Sequence, residues 1–300
     1  MDNKVRPQDD FYKFVNGAWL DKTAIPSDKS RWGSFDELRD TALDNLHAII
    51  ESIVAQSNKA PGSEAQKIGD LYASFMDEAR RESLGIKPLQ ADIARIDALK
   101  SKADLPATIG YFNQMRITAP FAVRIAQDAK DATQYAVILA QSGLGLPDRE
   151  YYLTDTDAKM KDARGKYLAL IEKMLAQAND KDAAASAKAI LALETELAKV
   201  QWTRVENRNP VKTYNKYELA KLAELVPGYD WKSQLTALDL DGKITSVIVG
   251  QPSYFSGMSK VIEATPLPVW KAYFKWHLVN HYAPYLSKSF VDDHFAFTGT

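Results

Sequence analysis

The sequence predicts a mainly α-helical fold, in which a large helical domain carries one small β-hairpin. Through most of the chain, apolar residues recur every three or four positions, the period of a helix that faces a core. The period shortens to two only across residues 121–141. The chain of 300 residues is 46% hydrophobic and 26% charged, which is typical of a globular protein with one large domain or two smaller ones.

Composition excludes several classes of protein. A formal net charge of -1 with interspersed signs gives no electrostatic reason to expect nucleic acid or an anionic membrane as a partner. No apolar run approaches the roughly 20 residues of a membrane-spanning helix, so no transmembrane segment is expected. The absence of cysteine removes disulfides, thiolate nucleophiles and thiolate metal sites. No signal peptide is visible at Met1, although a chain with its signal removed would look the same.

The stretch from Ser30 to Asp40 is the most informative one. Ser34 and Glu37 form the S-x-x-E pattern of a capping box, which predicts a helix from Ser34 to about residue 57. Arg31 lies just before this start and Arg39 just after it. From spacing alone both arginines are expected to be solvated or paired with an acidic neighbour. The apolar stripe expected to face a core comprises Phe35, Leu38, Ala42, Leu46, Ile49 and Ile53, and the acidic neighbours are Asp36, Glu37 and Asp40.

Helices are predicted on both sides of this stretch. Before it, an aromatic-rich helix should begin near Asp9 and stop near Gly17. After it, Ser63 and Gln66 repeat the capping pattern at the start of a helix that should lie antiparallel to the one from Ser34. Further helices are predicted at about residues 88–99, 105–116, 157–178, 181–202, 217–225, near 231 and 266–284, with a possible short strand at 246–249.

A hairpin and an irregular turn interrupt the helices. Apolar residues alternate on both sides of residues 128–132, which predicts two strands joined by a medium-length loop. Residues 142–152 follow, with two glycines and a proline that predict an irregular turn. This turn has neither the Gly-Lys-Ser/Thr ending nor the G-x-G-x-x-G spacing of a phosphate-binding loop.

The residues themselves show no catalytic constellation. His277 and His281 have the spacing of two metal ligands on one helical face, but Leu278 stands where a hydrolytic zinc helix would carry its glutamate, so metal binding is not expected there. No G-x-S-x-G is present. Glu194 and Glu196 are expected to be solvated, as carboxylates on a charged helical face usually are.

Four separated motifs resemble, in the same order, the N-terminal region of neprilysin-like zinc metallopeptidases. This family includes neprilysin, endothelin-converting enzyme and the bacterial oligopeptidase O, and the resemblance extends from Asp9 to Phe290. The absence of cysteine suggests a bacterial member. The motifs are Asp9-Asp10-Phe11-Tyr12 with Val15-Asn16-Gly17-Ala18-Trp19, the Arg31 to Asp40 stretch, Ser142-Gly143-Leu144-Gly145-Leu146-Pro147-Asp148-Arg149 with Tyr151-Tyr152, and Arg208-Asn209-Pro210 with Thr213-Tyr214-Asn215-Lys216.

The resemblance implies that this chain is the cap, or N-terminal part, of a two-domain zinc peptidase. Residues 1–40 would pack on a C-terminal catalytic region and reach its substrate cleft, while residues 41–300, with the hairpin near 121–141, would form a helical substrate-gating domain. The zinc ligands and the general base would lie beyond Thr300, so this chain alone would contain no catalytic or metal-binding residue and would be inactive. Arg31, Phe35, Asp36 and Arg39 match positions that contact peptide substrate beyond the scissile bond in the family.

An alternative stays open at this point, in which the chain is a stand-alone helical module that binds peptides or proteins without catalysis. A His-Glu-x-x-His pattern in the reading frame after Thr300 would favour the enzyme, and a stop codon there the module. For the enzyme, a periplasmic or extracellular location with the signal removed is expected in preference to the cytoplasm.

Overall fold

The computed structural model describes residues 1–299, and it confirms a mainly α-helical fold with one small sheet. Contacts within the chain divide it into two compact units, residues 1–77 and the residues from Glu78 onward. The division predicted after residue 40 concerned the roles of two parts in a larger protein, and those roles remain predictions. None of the helices formed by residues 1–299 has the length and apolarity needed to cross a lipid bilayer.

Three helices form the first unit: α1 (Phe11–Leu20), α2 (Ser34–Val54) and α3 (Glu64–Met76). Asp10 caps α1 by accepting a 2.8 Å hydrogen bond from the backbone N–H of Lys13. The prediction that this helix stops near Gly17 is wrong. Gly17 lies inside α1, where a Cβ atom would come within 2.7 Å of the Asp2 side chain. The glycine therefore serves close packing and not helix termination.

The two capping predictions have opposite outcomes. Ser34 is the first residue of α2 and not its cap, because Gly33 occupies the N-cap position and supplies no side chain, so the predicted capping box is absent. Ser63 does cap α3, and its hydroxyl accepts a 3.2 Å hydrogen bond from the N–H of Gln66. Helices α2 and α3 pack together, as expected, and the His47 Nε2 atom of α2 lies 3.3 Å from the Tyr72 hydroxyl of α3.

The first unit has almost no buried interior. Within residues 1–77 only Gly17 and Gly69 are buried. The apolar stripe of α2, predicted to face a core, is exposed or at most half-buried throughout, so this expectation is wrong for the chain by itself. Exposed apolar side chains occur on all three helices and include Phe11, Tyr12, Phe35, Leu38, Leu46, Ile49 and Leu71.

The second unit holds the remaining elements. Its helices are α4 (Glu78–Leu84), α5 (Gln90–Asp97), α6 (Leu105–Gln114), α7 (Glu150–Leu153), α8 (Ala158–Gln177), α9 (Ala183–Val200), α10 (Arg204–Asn207), α11 (Leu219–Leu225), α12 (Trp231–Ala237), α13 (Pro252–Ala264), α14 (Leu267–Tyr282) and α15 (Lys288–Thr298). Its strands are β1 (Phe121–Asp128), β2 (Asp131–Gln141), β3 (Asn215–Glu218) and β4 (Ser246–Val249).

The sheet is larger than the predicted hairpin. Strands β1 and β2 form that hairpin in antiparallel register, with Phe121 opposite Gln141. The predicted medium-length loop over residues 128–132 is wrong, because the strands extend to Asp128 and from Asp131 and only residues 129–130 connect them. Strand β4 was expected and pairs parallel to β2, whereas β3 lies where a helix was predicted to begin and pairs antiparallel to β4. The resulting order is β1-β2-β4-β3, which leaves β1 as one edge of the sheet.

Helix α14 lies at the centre of the core of the second unit. Its buried side chains are spread around the helix, which is typical of a helix surrounded by other elements. It packs on α5, α8 and α9. Helices α13 and α15, which the sequence analysis did not predict, cover further apolar surface, and Phe255 and Phe290 are buried there. The buried residues of α14 are Trp270, Tyr273, Phe274, Trp276, His277, Leu278 and Val279.

Candidate functional site

The four predicted binding residues lie together at the start of α2. Asp36 stands between the two arginines: its Oδ1 atom is 3.9 Å from Arg31 Nε and 3.8 Å from an Nη atom of Arg39. Both distances exceed a hydrogen bond, so these are loose ion pairs, and exposed pairs of this kind contribute little to stability. The side chain of Asp36 is 16% exposed, whereas those of Arg31 and Arg39 are 83% and 58% exposed.

The loop before α2 has a separate anchor. The Lys29 Nζ atom lies 3.2 Å from Asp40 Oδ2, and both side chains are partly buried. Arg39 Nε approaches Asp40 only to 4.0 Å. Because lysine neutralises Asp40, the guanidinium groups of Arg31 and Arg39 share the single carboxylate of Asp36 and present most of their donors to solvent. The cluster can therefore accept a further carboxylate.

Phe35 completes this surface. Its side chain is 89% exposed, and it precedes Arg39 by four residues, which places the two on the same face of α2. Leu38 is exposed beside it. An exposed aromatic ring next to two accessible guanidinium groups is the combination that an apolar side chain followed by a carboxylate would contact.

A buried polar cluster in the second unit was missed by the sequence analysis. Glu194 of α9 is fully buried, so the expectation that it is solvated is wrong. Its carboxylate accepts hydrogen bonds from the hydroxyls of Tyr152 and Tyr167 at 2.5 and 2.9 Å. Burial and the neighbouring carboxylate raise the pKa values of both tyrosines well above the usual range, so both hydroxyls stay protonated and donate.

The cluster holds the turn at residues 142–149. The Tyr152 hydroxyl accepts hydrogen bonds from the N–H groups of Gly145 and Leu146, at 3.1 and 2.9 Å, while it donates to Glu194. A Cβ atom at Gly145 would overlap the Tyr167 hydroxyl. The glycines of this turn thus permit close packing. One signal of the cluster was available: Glu194 interrupts the apolar stripe that contains Ile190 and Leu197.

The structure separates the two histidines of α14. His277 is buried, and its Nε2 atom lies 3.0 Å from Glu194 Oε1, whereas His281 is exposed. Among residues 1–299 no group of three or more His, Asp or Glu side chains is arranged to hold a metal ion. The resemblance assigns the zinc ligands to residues beyond Thr300, and that assignment remains a prediction.

Comparison with known proteins identifies the family to which this sequence is similar. The model of peptidase family M13, N-terminal part, matches residues 7–300. Endothelin-converting enzyme 1 of Rattus norvegicus is 29% identical over 303 residues, an alignment that covers 97% of this chain and 39% of that protein. The chain thus spans about two-fifths of the length of this relative.

Solved structures agree with the family match. The zinc metalloprotease Zmp1 of Mycobacterium tuberculosis, in complex with an inhibitor, is similar with a TM-score of 0.89 at 34% identity, covering 100% of this chain and 46% of that one. PepO from Lactobacillus rhamnosis HN001 has the same fold, with a TM-score of 0.73 at 21% identity over 98% of this chain and 46% of that one.

Proposed function

Since the chain belongs to peptidase family M13, we propose that it is the N-terminal region of a zinc-dependent metalloendopeptidase that cleaves small peptides. In this proposal the helical second unit encloses the substrate, and the start of α2 binds it on the primed side of the scissile bond. Zinc and the general base come from a C-terminal catalytic region of the same polypeptide. This region also covers the exposed apolar residues of the first unit, and the complete enzyme works in the periplasm or outside the cell.

One observation supports the binding role more than any other. Arg31 and Arg39 converge on a single carboxylate, that of Asp36, while most of their donors remain accessible. A guanidinium group donates two parallel hydrogen bonds to a carboxylate, so the pair suits the C-terminal carboxylate of a short peptide. Phe35 would contact the apolar side chain next to that carboxylate. Asp36 keeps the two arginines together by offsetting their mutual repulsion.

Substitutions in the complete protein test this role. Arg31→Ala or Arg39→Ala should lower kcat/KM roughly 10- to 100-fold for a short peptide with a free C-terminal carboxylate, because a hydrogen bond to a charged group contributes about 1.5–3 kcal/mol. The same peptide with an amidated C-terminus should be affected little. Arg6→Ala is a matched control, since Arg6 is an exposed arginine of the same unit that pairs with Asp9.

Zinc content, measured on the same preparations, should be unchanged in all three variants. Equal losses for the free-acid and amidated peptides would show that Arg31 and Arg39 are ordinary ion-pair partners at a helix start. A complete protein that cleaves no peptide would instead contradict the proposed peptidase function itself.

A further inference from the structure

A groove in the second unit lies along the outer edge of the sheet. One wall is strand β1, from Ala122 to Ile125, and the other runs from the last residue of α6, Gln114, to Arg116 and Thr118. Asn113 closes one end, because its Nδ2 atom donates a 2.8 Å hydrogen bond to the carbonyl of Phe121. The groove therefore offers both backbone and side-chain groups to a ligand.

Strand β1 provides the backbone groups. Among the described residues it pairs with β2 alone, and its eight residues make it a long edge. In an antiparallel pair, every second residue of an edge strand directs its N–H and C=O away from its neighbour. Such an edge can accept an extended peptide as an additional strand.

Two arginines give the groove its charge. Arg124 lies opposite Ile138 of β2, and its neighbours on that face of the hairpin are the small residues Ala122, Ala126, Ala136 and Ala140. No acidic side chain lines the groove, and within residues 1–299 neither Arg116 nor Arg124 forms an ion pair. Both cations are exposed, and neither has an ion-pair partner in the described part of the chain.

Arg116 stands where the backbone favours a different residue. Helix α6 ends in a Schellman motif, in which the N–H of Ile117 bonds to the carbonyl of Phe112 at 2.9 Å and the N–H of Arg116 to that of Asn113 at 3.1 Å. Arg116 takes the left-handed position of this motif, with φ of 57°. Glycine is preferred there because it has no Cβ atom. Backbone geometry thus gives no reason for an arginine at this position.

We propose that this groove binds an extended acidic peptide segment, which adds to β1 as a strand while its carboxylates pair with Arg116 and Arg124. Side chains two residues apart on a strand point to the same face, so two acidic residues with this spacing can approach the arginines together. The binding needs neither zinc nor cleavage, and it is independent of the role proposed for Arg31 and Arg39.

Fluorescence anisotropy with the 300-residue chain tests charge recognition. The probe is a labelled ten-residue peptide of alternating valine and threonine, with glutamate in place of two threonines two residues apart. Its counterpart has glutamine at both positions and should bind about tenfold more weakly, because two partly exposed ion pairs are lost. Arg124→Gln should weaken binding of the glutamate peptide several-fold, whereas Arg208→Gln, at an exposed arginine outside the groove, should not. Equal binding of both peptides, or binding of neither, would overturn the proposal.

Two further measurements distinguish peptide binding by Arg116 and strand β1 from a purely structural role. Arg116→Gly should raise the melting temperature by about 2 °C, since it relieves the left-handed backbone, and should still weaken binding of the glutamate peptide. Peptides N-methylated at one or the other set of alternate residues test strand addition without altering the protein. One set should lose binding more than tenfold and the other should retain it. Equal affinities of the two methylated peptides, or an Arg116→Gly protein that binds normally, would contradict the proposal.

Discussion

The two units of this chain contain similar apolar stripes, but one stripe is exposed and the other is buried. Helix α2 of the first unit and helix α9 of the second both carry a regular apolar stripe along about twenty residues. In α9 the stripe is buried, and Leu197 is completely inaccessible; in α2 the corresponding side chains face solvent, and Leu46 is 52% exposed. The pattern shows that a helix has an apolar face, but it does not show whether the chain itself supplies the partner for that face.

The difference extends to aromatic residues. Trp270 and Trp276 are fully buried in the second unit, whereas Phe11, Tyr12 and Phe35 of the first unit are exposed. Exposed apolar patches of more than a few hundred Å² usually mark binding surfaces. The exposed residues of the first unit are what the proposed catalytic partner region would cover, whereas the second unit has a large buried core. Three substitution pairs test this contrast.

The largest effect is expected from Glu194→Ala. It would leave two buried tyrosine hydroxyls without their acceptor and His277 without its partner. Each buried donor left unsatisfied costs about 1–3 kcal/mol, so the loss for the network should be about 3–5 kcal/mol. Glu196 is a matched control on the same helix, because it is exposed and forms only a surface ion pair with Lys199. Glu196→Ala should cost less than about 1 kcal/mol.

Urea unfolding followed by tryptophan fluorescence would measure both variants. Similar losses for Glu194→Ala and Glu196→Ala would show that the buried network does not stabilise the second unit. Hydrogen exchange in α2 should be unchanged in both variants, since the first unit has its own contacts.

The elements that the sequence predicted best are those whose signals are local. The long helices follow from their apolar period, and the hairpin from its alternation. Strand β3 was missed because Asn-Lys-Tyr-Glu has no alternating apolar pattern and is defined by its pairing with β4. The cap of α2 was misplaced by one residue, since Gly33 fills a position that the motif assigned to Ser34.

The candidate site was predictable in part for the same reason. Arg31, Asp36 and Arg39 lie close together because they are neighbours along one helix start. The Glu194 cluster joins residues 152, 167 and 277 with residue 194. These residues are far apart in the sequence, and no local sequence pattern indicates that they are in contact. Its one local signal, a carboxylate inside an apolar stripe, shows that the residue is buried but not what it contacts.

An intermediate effect should come from shortening one leucine in each long helix. Leu197→Ala should cost about 2–5 kcal/mol, as buried leucines usually do, because it leaves a cavity in a closely packed core. Leu46→Ala should cost less than about 1 kcal/mol in this chain, since its side chain is already half in water. Thermal and urea denaturation of the two variants would measure the difference.

The complete protein provides a second test of the difference between Leu46 and Leu197. If a catalytic region covers α2, Leu46→Ala should cost more there than in the 300-residue chain, while the cost of Leu197→Ala should stay the same. A Leu46→Ala variant that is as costly as Leu197→Ala in the short chain would mean that the first unit has a core of its own.

The smallest effect concerns the two serines at helix starts within the first unit. Ser63→Ala should destabilise α3 by about 0.5–2 kcal/mol, because it removes the acceptor for the N–H of Gln66. Ser34→Ala should be neutral or slightly stabilising, since Ser34 lies inside α2 without capping it and alanine has the higher helix propensity. Hydrogen exchange is the suitable measurement, because it reports the opening of each helix separately from the unfolding of the second unit. Protection should fall in α3 for the first variant and stay constant in α2 for the second. A loss of protection in α2 after Ser34→Ala would show that Ser34 caps α2, as the S-x-x-E pattern predicted. The helix would then start one residue later than it does in the structure.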